Sequence, residues 1–395
     1  MKRSVVMMRR LLLLLCLAIL AAARLSGAAN AQEPSPGFVT KAKQVYMVEA
    51  KTGTVLLASN ENQTFPPASL AKLMTMEVVF SAIKKGEISP DTVYPVSEHA
   101  WRTGGAPSGT TTMFAALKSQ IRVEDLVKGV IIQNANDACI VLAEGISRSD
   151  AEFAARMTAR AKDLGLARSV FGNSTGLPDA ESHTTAHDLV DLARHIHREY
   201  PEFYPLYAQP DFEWNRIFQR NKNPLMALNI GIDGLGAGFA EGSGYALVAS
   251  VERDGTRLFL AMGGLASDKE RLEEARRVLE WGLSSFETKV LFRQGEVIGQ
   301  ASVYGGTSRY VDLVAKEPVD IYMPTNNPAR LSGRIVYRWP LRAPVAEGQD
   351  VGVLRISAGD RVVREVPLVT AQPVGQGSLT SQATDALLEL MFFWL

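Results

Sequence analysis

Two residues near the start of an apolar segment have the types and the spacing that nucleophilic catalysis requires. Ser69 follows two prolines and precedes residues 70–83, whose apolar positions recur at helical spacing, so we expect Ser69 at the start of a helix. Lys72 is three residues later and therefore lies on the same face. A serine becomes a nucleophile when a base takes its proton, and burial near the positive end of a helix favours the neutral lysine that could do so.

The spacing alone is weak evidence, because the pattern S-x-x-K recurs at Ser81 and Lys84. Ser81 falls inside the expected helix, where no entry turn exposes its hydroxyl. Ser69 lies at the helix start, where a serine can also serve as a plain N-cap. Judged by its residues alone, Ser69 therefore stays open between nucleophile and cap.

The surrounding pattern predicts the elements that would position this pair. Apolar runs in residues 45–57 flank a turn and indicate a hairpin, helical periodicity dominates residues 70–200, and strand signals return in residues 246–262. A charged amphipathic helix follows over residues 267–286. We expect helix ends at Gly86, Gly145 and Gly165. Strands at both ends with helices between them predict an α+β domain over residues 36–286.

The pattern changes after residue 290. Short alternating apolar runs separated by Gly and Pro continue from there and predict an all-β domain, a small sandwich, over residues 290–375. With 395 residues the chain is long enough for two domains that each close their own core.

The first 31 residues have the composition of a secretory signal peptide. Basic residues precede an apolar run over residues 11–23, and Ala29, Asn30 and Ala31 form an A-x-A cleavage site. The run is shorter than the roughly 20 apolar residues of a membrane-spanning helix. We therefore expect an exported, periplasmic protein.

The last residues, 380–395, predict a short amphipathic helix. Ser381, Asp385 and Glu389 recur four apart, and nearly all other positions as far as the end of the chain are apolar, including Trp394. Such a helix suits the surface of a membrane rather than its interior. We expect attachment to the outer face of the cytoplasmic membrane. A helix that docks on its own domain is the alternative.

Charge and composition exclude several classes of function. The 42 basic and 42 acidic residues cancel, which gives no electrostatic footprint for nucleic acid. A zinc site has to be considered because four histidines lie close together in sequence, but the H-E-x-x-H pattern is absent, and capping and surface roles are the simpler interpretation. These histidines are His183, His187, His195 and His197. No metal or organic cofactor is implied.

Several segments together resemble one protein family. They read PASLAKLMT at residues 67–75, QNANDA at 133–138, FGNSTGLP at 171–178, ESHTT at 181–185 and GIDGL at 231–235. In this order they are similar to motifs of the low-molecular-weight penicillin-binding proteins, the serine D-alanyl-D-alanine carboxypeptidases. The resemblance covers about residues 40 to 375.

The resemblance implies a fold and a reaction. The fold is a serine β-lactamase/DD-peptidase-like catalytic domain, an antiparallel sheet packed with helices, followed by the all-β domain. The reaction removes the terminal D-Ala from peptidoglycan stem peptides through an acyl-enzyme on Ser69, with Lys72 as base, and β-lactams acylate the same serine. The resemblance places Asn134 and Asn136 in the catalytic site, and the oxyanion hole at the backbone N–H groups of Ser69 and Phe239.

Two positions depart from the family pattern. The S-x-N motif begins with Asn134 here, and an amide cannot relay a proton as a hydroxyl does. The K-T-G triplet, which would bind the carboxylate of the substrate, is replaced by Gly236, Ala237 and Gly238. We therefore keep as an alternative a catalytically weakened member of the family that binds peptidoglycan or partner proteins. A β-lactamase is less favoured, because we identify no water-activating carboxylate.

A basic residue elsewhere could receive the carboxylate instead. Arg220 and Lys222 lie just before the strand that carries the altered triplet, and the triplet's own segment contains only the acidic residues Asp233 and Glu241. We expect one of the two basic residues to face the site.

Overall fold

The structure is a computed structural model that describes residues 38–326, 330–359, 361–379 and 382–383. The expected signal peptide, residues 1–31, lies outside the described residues, as does most of the expected tail helix, residues 380–395. Within the described ranges, no helix combines the length and the apolar composition that crossing a membrane needs.

An antiparallel sheet forms the centre of the catalytic part. Its five strands lie in the order β2-β1-β9-β8-β7, and the predicted hairpin is the pair β1–β2. Two small ribbons, β3–β4 and β5–β6, lie apart from it. The strands are β1 Gln44–Glu49, β2 Val55–Ser59, β3 Val93–Pro95, β4 Gln120–Arg122, β5 Asp211–Trp214, β6 Ile217–Arg220, β7 Ile232–Ala240, β8 Gly244–Arg253 and β9 Thr256–Leu265.

Helices cover both faces of this sheet. On β1, Val45 and Met47 pack in the core shared with the helix α7, Asp268–Ser284. Tyr46 and Val48 pack in the core of the other helices, because neighbouring strand residues point to opposite faces. The helix α1, Ala71–Lys84, is buried along nearly its whole length, which places its first turn deep in the molecule. The helices are α1 Ala71–Lys84, α2 Glu98–Thr103, α3 Val123–Gln133, α4 Asn136–Ser147, α5 Asp150–Asp163, α6 Ala186–Glu199 and α7 Asp268–Ser284.

The expected helix end at Gly145 is wrong. The helix α4 continues to Ser147 and ends at Arg148, which adopts the left-handed conformation with φ of 69°. Gly145 is needed for packing, since a Cβ there would lie 2.5 Å from the ring of Tyr94. At Gly86 and Gly165, by contrast, positive φ angles follow the ends of α1 and α5 as expected.

The C-terminal part is all β, as the sequence predicts. A six-stranded sheet in the order β14-β16-β17-β12-β11-β15 and the ribbon β10–β13 enclose a third apolar core. The α+β fold class with a following all-β domain is confirmed. The strands are β10 Phe286–Phe292, β11 Val297–Tyr304, β12 Tyr310–Val314, β13 Val319–Pro324, β14 Leu331–Tyr337, β15 Leu341–Arg342, β16 Asp350–Ala358 and β17 Arg361–Thr370.

Candidate active site

Ser69 and Lys72 meet at the entrance to α1. Ser69 belongs to a 3₁₀ turn, Ala68–Leu70, that leads directly into the helix. Lys72 Nζ lies 3.3 Å from Ser69 Oγ and donates a second hydrogen bond, of 2.8 Å, to the carbonyl of Thr175. The amine is therefore within reach of the serine proton.

The surroundings of Lys72 favour its neutral form. Burial of the amine lowers the pKa of Lys72 to about 8, because the charged form loses its hydration. The neighbouring thiol of Cys139 opposes this shift only in part, since burial raises the pKa of that thiol to about 12. A base whose pKa lies near the working pH can both accept a proton and return it.

A loop that is distant in sequence, residues 173–176, packs against the nucleophile turn. Asn173 Oδ1 accepts hydrogen bonds from the backbone N–H groups of Thr175 and Gly176, at 3.1 and 2.7 Å, which shapes the loop. Gly176 has a φ of 78°, and a Cβ on it would lie 1.7 Å from the carbonyl oxygen of Ala68. Only glycine fits at this contact. The loop therefore packs directly against Ala68, the residue that precedes Ser69.

An open cavity beside the pair brings most of the expected site residues together. Ser69 and Lys72 line one side of it, Asn134 lies at the end of α3, and Gly236 and Ala237 lie on β7. The other lining residues are Leu70, Leu73, Met76, Val130, Ile131, Tyr207, Lys222, Asn223 and Leu235.

The two asparagines of the altered S-x-N motif have different surroundings. Asn134 ends α3 in the left-handed conformation, with φ of 58°, which asparagine adopts more readily than most residues. Asn136 begins α4, is buried, and donates its amide to Thr110 Oγ1 at 3.0 Å. Asn136 is not among the residues that line the cavity, so the structure brings Asn134 and not Asn136 to its wall.

The altered triplet places bare backbone next to the nucleophile. A Cβ on Gly238 would lie 3.4 Å from the backbone nitrogen of Ser69, so β7 runs close along the nucleophile turn. This contact brings the backbone of Phe239, the next residue, near Ser69. The ring of Phe239 is half-exposed and packs at a tilt of 44° against the ring of Tyr245, with centroids 4.6 Å apart. A Cβ on Gly236 would meet no atom within 4 Å.

Of the two candidate basic residues, Lys222 lines the cavity and Arg220 does not. Sequence reasoning missed Tyr207, which reaches the same cavity from the 3₁₀ turn Tyr204–Ala208, and it gave no role to Thr175. Neither residue carries a local signal, because each meets the site only through the tertiary fold.

The four histidines have other contacts. His195 Nε2 lies 3.3 Å from Glu77 Oε1, His187 stacks on Tyr46, and the ring of His197 contacts that of Tyr204. His183 Nδ1 lies 2.6 Å from the carbonyl oxygen of Glu181. In the described part of the chain no three His, Cys, Asp or Glu side chains are arranged to bind a metal ion.

Comparison with known proteins gives consistent matches. Residues 28–264 match a family model described as D-alanyl-D-alanine carboxypeptidase, and residues 286–376 match one described as penicillin-binding protein 5, C-terminal domain. The D-alanyl-D-alanine carboxypeptidase DacD of Salmonella typhimurium is 34% identical over 89% of this chain and 91% of its own length.

Solved structures give the same result. Penicillin-binding protein 5 from Haemophilus influenzae superposes with a TM-score of 0.76 at 32% identity, covering 87% of this chain and 99% of that one. Penicillin-binding protein D2 from Listeria monocytogenes in its cefotaxime-bound form gives a TM-score of 0.57 at 25% identity and covers 63% of this chain and all of that one, 100%.

Proposed function

The chain belongs to the D-alanyl-D-alanine carboxypeptidase family, and from that premise we propose that Ser69 and Lys72 carry out its reaction. The serine carboxypeptidase activity predicted from the sequence is confirmed by the family and the relatives, and the scaffolding alternative receives no specific support from them. What we propose beyond this is how the residues of this chain perform the reaction. The pair at the start of α1 carries the proposal.

The proposed acylation step follows from the geometry of the pair. Ser69 Oγ attacks the carbonyl carbon of the penultimate D-Ala while its proton moves to neutral Lys72 Nζ, 3.3 Å away. The oxyanion that forms is stabilised by the backbone N–H groups of Ser69 and Phe239. The C–N bond then breaks, the proton passes from Lys72 to the leaving amine, and D-Ala departs.

Deacylation repeats the sequence with water. Lys72 takes a proton from a water molecule, whose oxygen attacks the ester carbon, and the proton returns to Ser69 Oγ as the C–O bond breaks. The shortened peptide leaves and the enzyme is restored. One amine with a pKa of about 8 serves both halves because it changes its charge near neutral pH.

β-Lactams should acylate the same serine. The ring carbonyl of such a drug offers Ser69 an activated amide, and a relative from Listeria monocytogenes has been solved in a cefotaxime-bound form. Because ring strain activates the amide bond of the drug, its acylation of Ser69 depends less on binding energy from a carboxylate than cleavage of an unstrained peptide does. Drug labelling therefore tests the nucleophile separately from the altered triplet.

The experiment is labelling with a fluorescent penicillin, combined with an assay of D-Ala release from diacetyl-Lys-D-Ala-D-Ala. Ser69→Ala should abolish both signals. Ser81→Ala is the matched control, since Ser81 belongs to the second S-x-x-K pattern and is buried inside α1. Equal labelling of Ser69→Ala and the native protein would exclude Ser69 as the nucleophile. Labelling without D-Ala release would favour the catalytically weakened alternative.

We also propose that the protein is exported and attached to the outer face of the cytoplasmic membrane. The support is the signal-like composition of residues 1–31 and the amphipathic pattern of residues 380–395. The mature protein from a bacterial host should begin at Gln32 by mass spectrometry and sediment with membranes, and deletion of residues 380–395 should release it. An uncleaved N-terminus, or membrane binding that survives the deletion, would contradict the respective half.

A further inference from the structure

We propose that Arg271 is a positioning residue for acylation, which holds the peptide group between Gly238 and Phe239 so that the N–H of Phe239 points at the oxyanion. This inference rests on the proposed function, which assigns that N–H to the oxyanion hole. Arg271 is not among the residues that line the cavity, so it acts through the backbone of β7.

The side chain of Arg271 reaches β7 from the first turn of α7. Its Nη1 donates to the carbonyl oxygen of Gly238 at 3.1 Å and to that of Ala246 at 3.4 Å. Gly238 and Ala246 are paired across β7 and β8. Because one nitrogen contacts carbonyls of both strands, the C=O of Gly238 points towards β8.

The carbonyl that Arg271 binds and the proposed oxyanion donor belong to one rigid group. The C=O of Gly238 and the N–H of Phe239 are part of the same planar trans peptide, in which they point in opposite directions. β7 is the edge strand of its sheet, with β8 on one side. The N–H of Phe239 therefore points to the free edge, where the nitrogen of Ser69 lies 3.4 Å from a Cβ placed on Gly238.

The charge of Arg271 also strengthens this donor. A cation beside a carbonyl oxygen polarises the peptide group, and the N–H of that group becomes a better donor, as in a chain of hydrogen bonds. Hydrogen bonds from a charged donor are roughly twice as strong as those between neutral groups. The N–H of Phe239 is therefore aimed and polarised before the substrate binds, which is the condition for oxyanion stabilisation.

A salt bridge does not explain why Arg271 is buried. The residue is 7% exposed and is the only buried arginine in the part of the chain that the structure describes. Its partner Asp268 has a side chain that is 56% exposed, and such pairs contribute little to stability. A cation in the first turn of a helix is unfavourable. Burial lowers the pKa of Arg271, although a guanidinium stays charged at neutral pH.

Tyr245 contacts the guanidinium group from the side. The Cζ atom of Arg271 lies 5.3 Å from the centroid of the Tyr245 ring, a cation–π contact. The same ring packs against that of Phe239. Arg271 Nε has no hydrogen-bond partner among the described residues, so the polar contacts of this side chain are made by its Nη atoms. The ring and the strand carbonyls together set the orientation of the guanidinium group.

The first experiment separates positioning from binding in the full-length protein. Stopped-flow labelling with a fluorescent penicillin gives both the dissociation constant of the initial complex and the rate constant of acylation. Arg271→Met should lower the rate constant by roughly 10- to 100-fold, which is less than the loss of a whole oxyanion donor. The dissociation constant should not change. Arg276→Met is the matched control, since Arg276 also extends from α7 to a carbonyl, that of Leu228 at 2.8 Å, outside β7.

A spectroscopic experiment measures the oxyanion hole directly. Benzylpenicillin with an isotope label at the β-lactam carbonyl forms an acyl-enzyme whose ester C=O stretch decreases in frequency as the hydrogen bonds to its oxygen strengthen. Arg271→Met should shift this infrared band to a higher wavenumber, and Arg276→Met should leave it in place. The band arises only from acylated molecules, so a partly unfolded preparation does not move it.

A purely structural role of Arg271 would give a different result. An unchanged ester band in Arg271→Met overturns the proposal even if the variant is less stable or acylates slowly. If this variant does not fold, Arg271→Lys decides the question. Lysine keeps the charge but not the planar group that contacts two carbonyls and the ring of Tyr245, so acylation should be slower and the band higher than in the native protein. Native values in Arg271→Lys would then refute the proposal.

The outcome for Arg271 is distinguishable from failure of the proposed nucleophile. If Ser69 is not the nucleophile, Ser69→Ala keeps its penicillin label. If only the positioning role is wrong, Ser69→Ala loses the label while the Arg271 variants acylate with the native ester band.

Discussion

The two walls of the cavity differ in the functional side chains that they carry. At the start of α1, three contacts hold the nucleophile pair: Lys72 Nζ lies 3.3 Å from Ser69 Oγ, Lys72 also donates to the carbonyl of Thr175, and Gly176 packs against Ala68. On β7, the strand keeps its position against Ser69 but carries no functional side chain at Gly236 or Ala237. The nucleophile pair and the altered triplet therefore lie on different elements of the fold.

The contrast follows from what each wall has to do. A nucleophile and its base must be placed within a few tenths of an ångström, and a misplacement of about 1 Å can cost on the order of 100-fold in rate. A carboxylate can be bound from several directions, because any set of donors that surrounds it serves. Tyr207 lines the same cavity from the 3₁₀ turn Tyr204–Ala208, and Lys222 and Asn223 line it from the segment after β6.

The largest effect is expected where the nucleophile turn tolerates no change. Gly176→Ala would place a Cβ 1.7 Å from the Ala68 carbonyl oxygen, so either the loop or the turn has to move. We expect penicillin acylation to fall by roughly 100-fold or more. Stopped-flow labelling measures it.

Gly86→Ala is the control for backbone strain. Gly86 has a similar φ, 72°, but a Cβ there would meet nothing within 4 Å. The free energy of unfolding of Gly86→Ala should fall only by the roughly 1–2 kcal/mol that a left-handed alanine costs. Its acylation rate should not change. If both variants acylate equally slowly, the contact with Ala68 is not what positions Ser69.

The second effect is the pH dependence of acylation. With a pKa of about 8, Lys72 is neutral above that pH and charged below it. The logarithm of the acylation rate should therefore rise with a slope of one against pH up to about pH 8 and then level off. The rate itself should increase roughly 50-fold from pH 6 to pH 8. Thermal melts across the same range exclude partial unfolding. A flat profile would show that another group takes the proton.

The third prediction restores the family's side chains. Gly236→Lys combined with Ala237→Thr returns the K-T-G triplet, and no atom obstructs a Cβ on Gly236. The new lysine offers the substrate carboxylate a charge-assisted hydrogen bond from β7, so diacetyl-Lys-D-Ala-D-Ala should bind the Ser69→Ala form of this variant roughly 10-fold more tightly than it binds Ser69→Ala alone. Unchanged affinity of this variant for the peptide would show that the triplet position does not meet the carboxylate.

The sequence predicted what is local in the chain. The pair Ser69 and Lys72 is three residues apart, so helix geometry alone brings the two side chains together. The hairpin β1–β2 and the helix α7 likewise follow from short-range periodicity. By contrast, Thr175 lies 103 residues from Lys72 in sequence, and only the tertiary fold brings its carbonyl to the amine.

The errors have a related cause. A glycine was expected to end α4 at Gly145, but it serves packing against Tyr94, and the residue that ends the helix is Arg148. Alternating apolar runs predicted the strands of the second domain without their order in the sheet, since strand order depends on long-range pairing. Likewise, no pattern marks Tyr207 as part of the cavity.

The smallest expected effect concerns Asn134. Serine in its place would return a hydroxyl to the cavity that Lys72 also lines, where it could relay a proton and raise the acylation rate by a few-fold. However, Asn134 adopts φ 58° and ψ 33° at the end of α3, where a serine is strained by roughly 1 kcal/mol more than an asparagine. Asn134→Ser should therefore acylate slightly faster and melt a few degrees lower. A faster variant without loss of stability would mean that the backbone does not select asparagine here, and a slower one would mean that the amide itself orients the substrate.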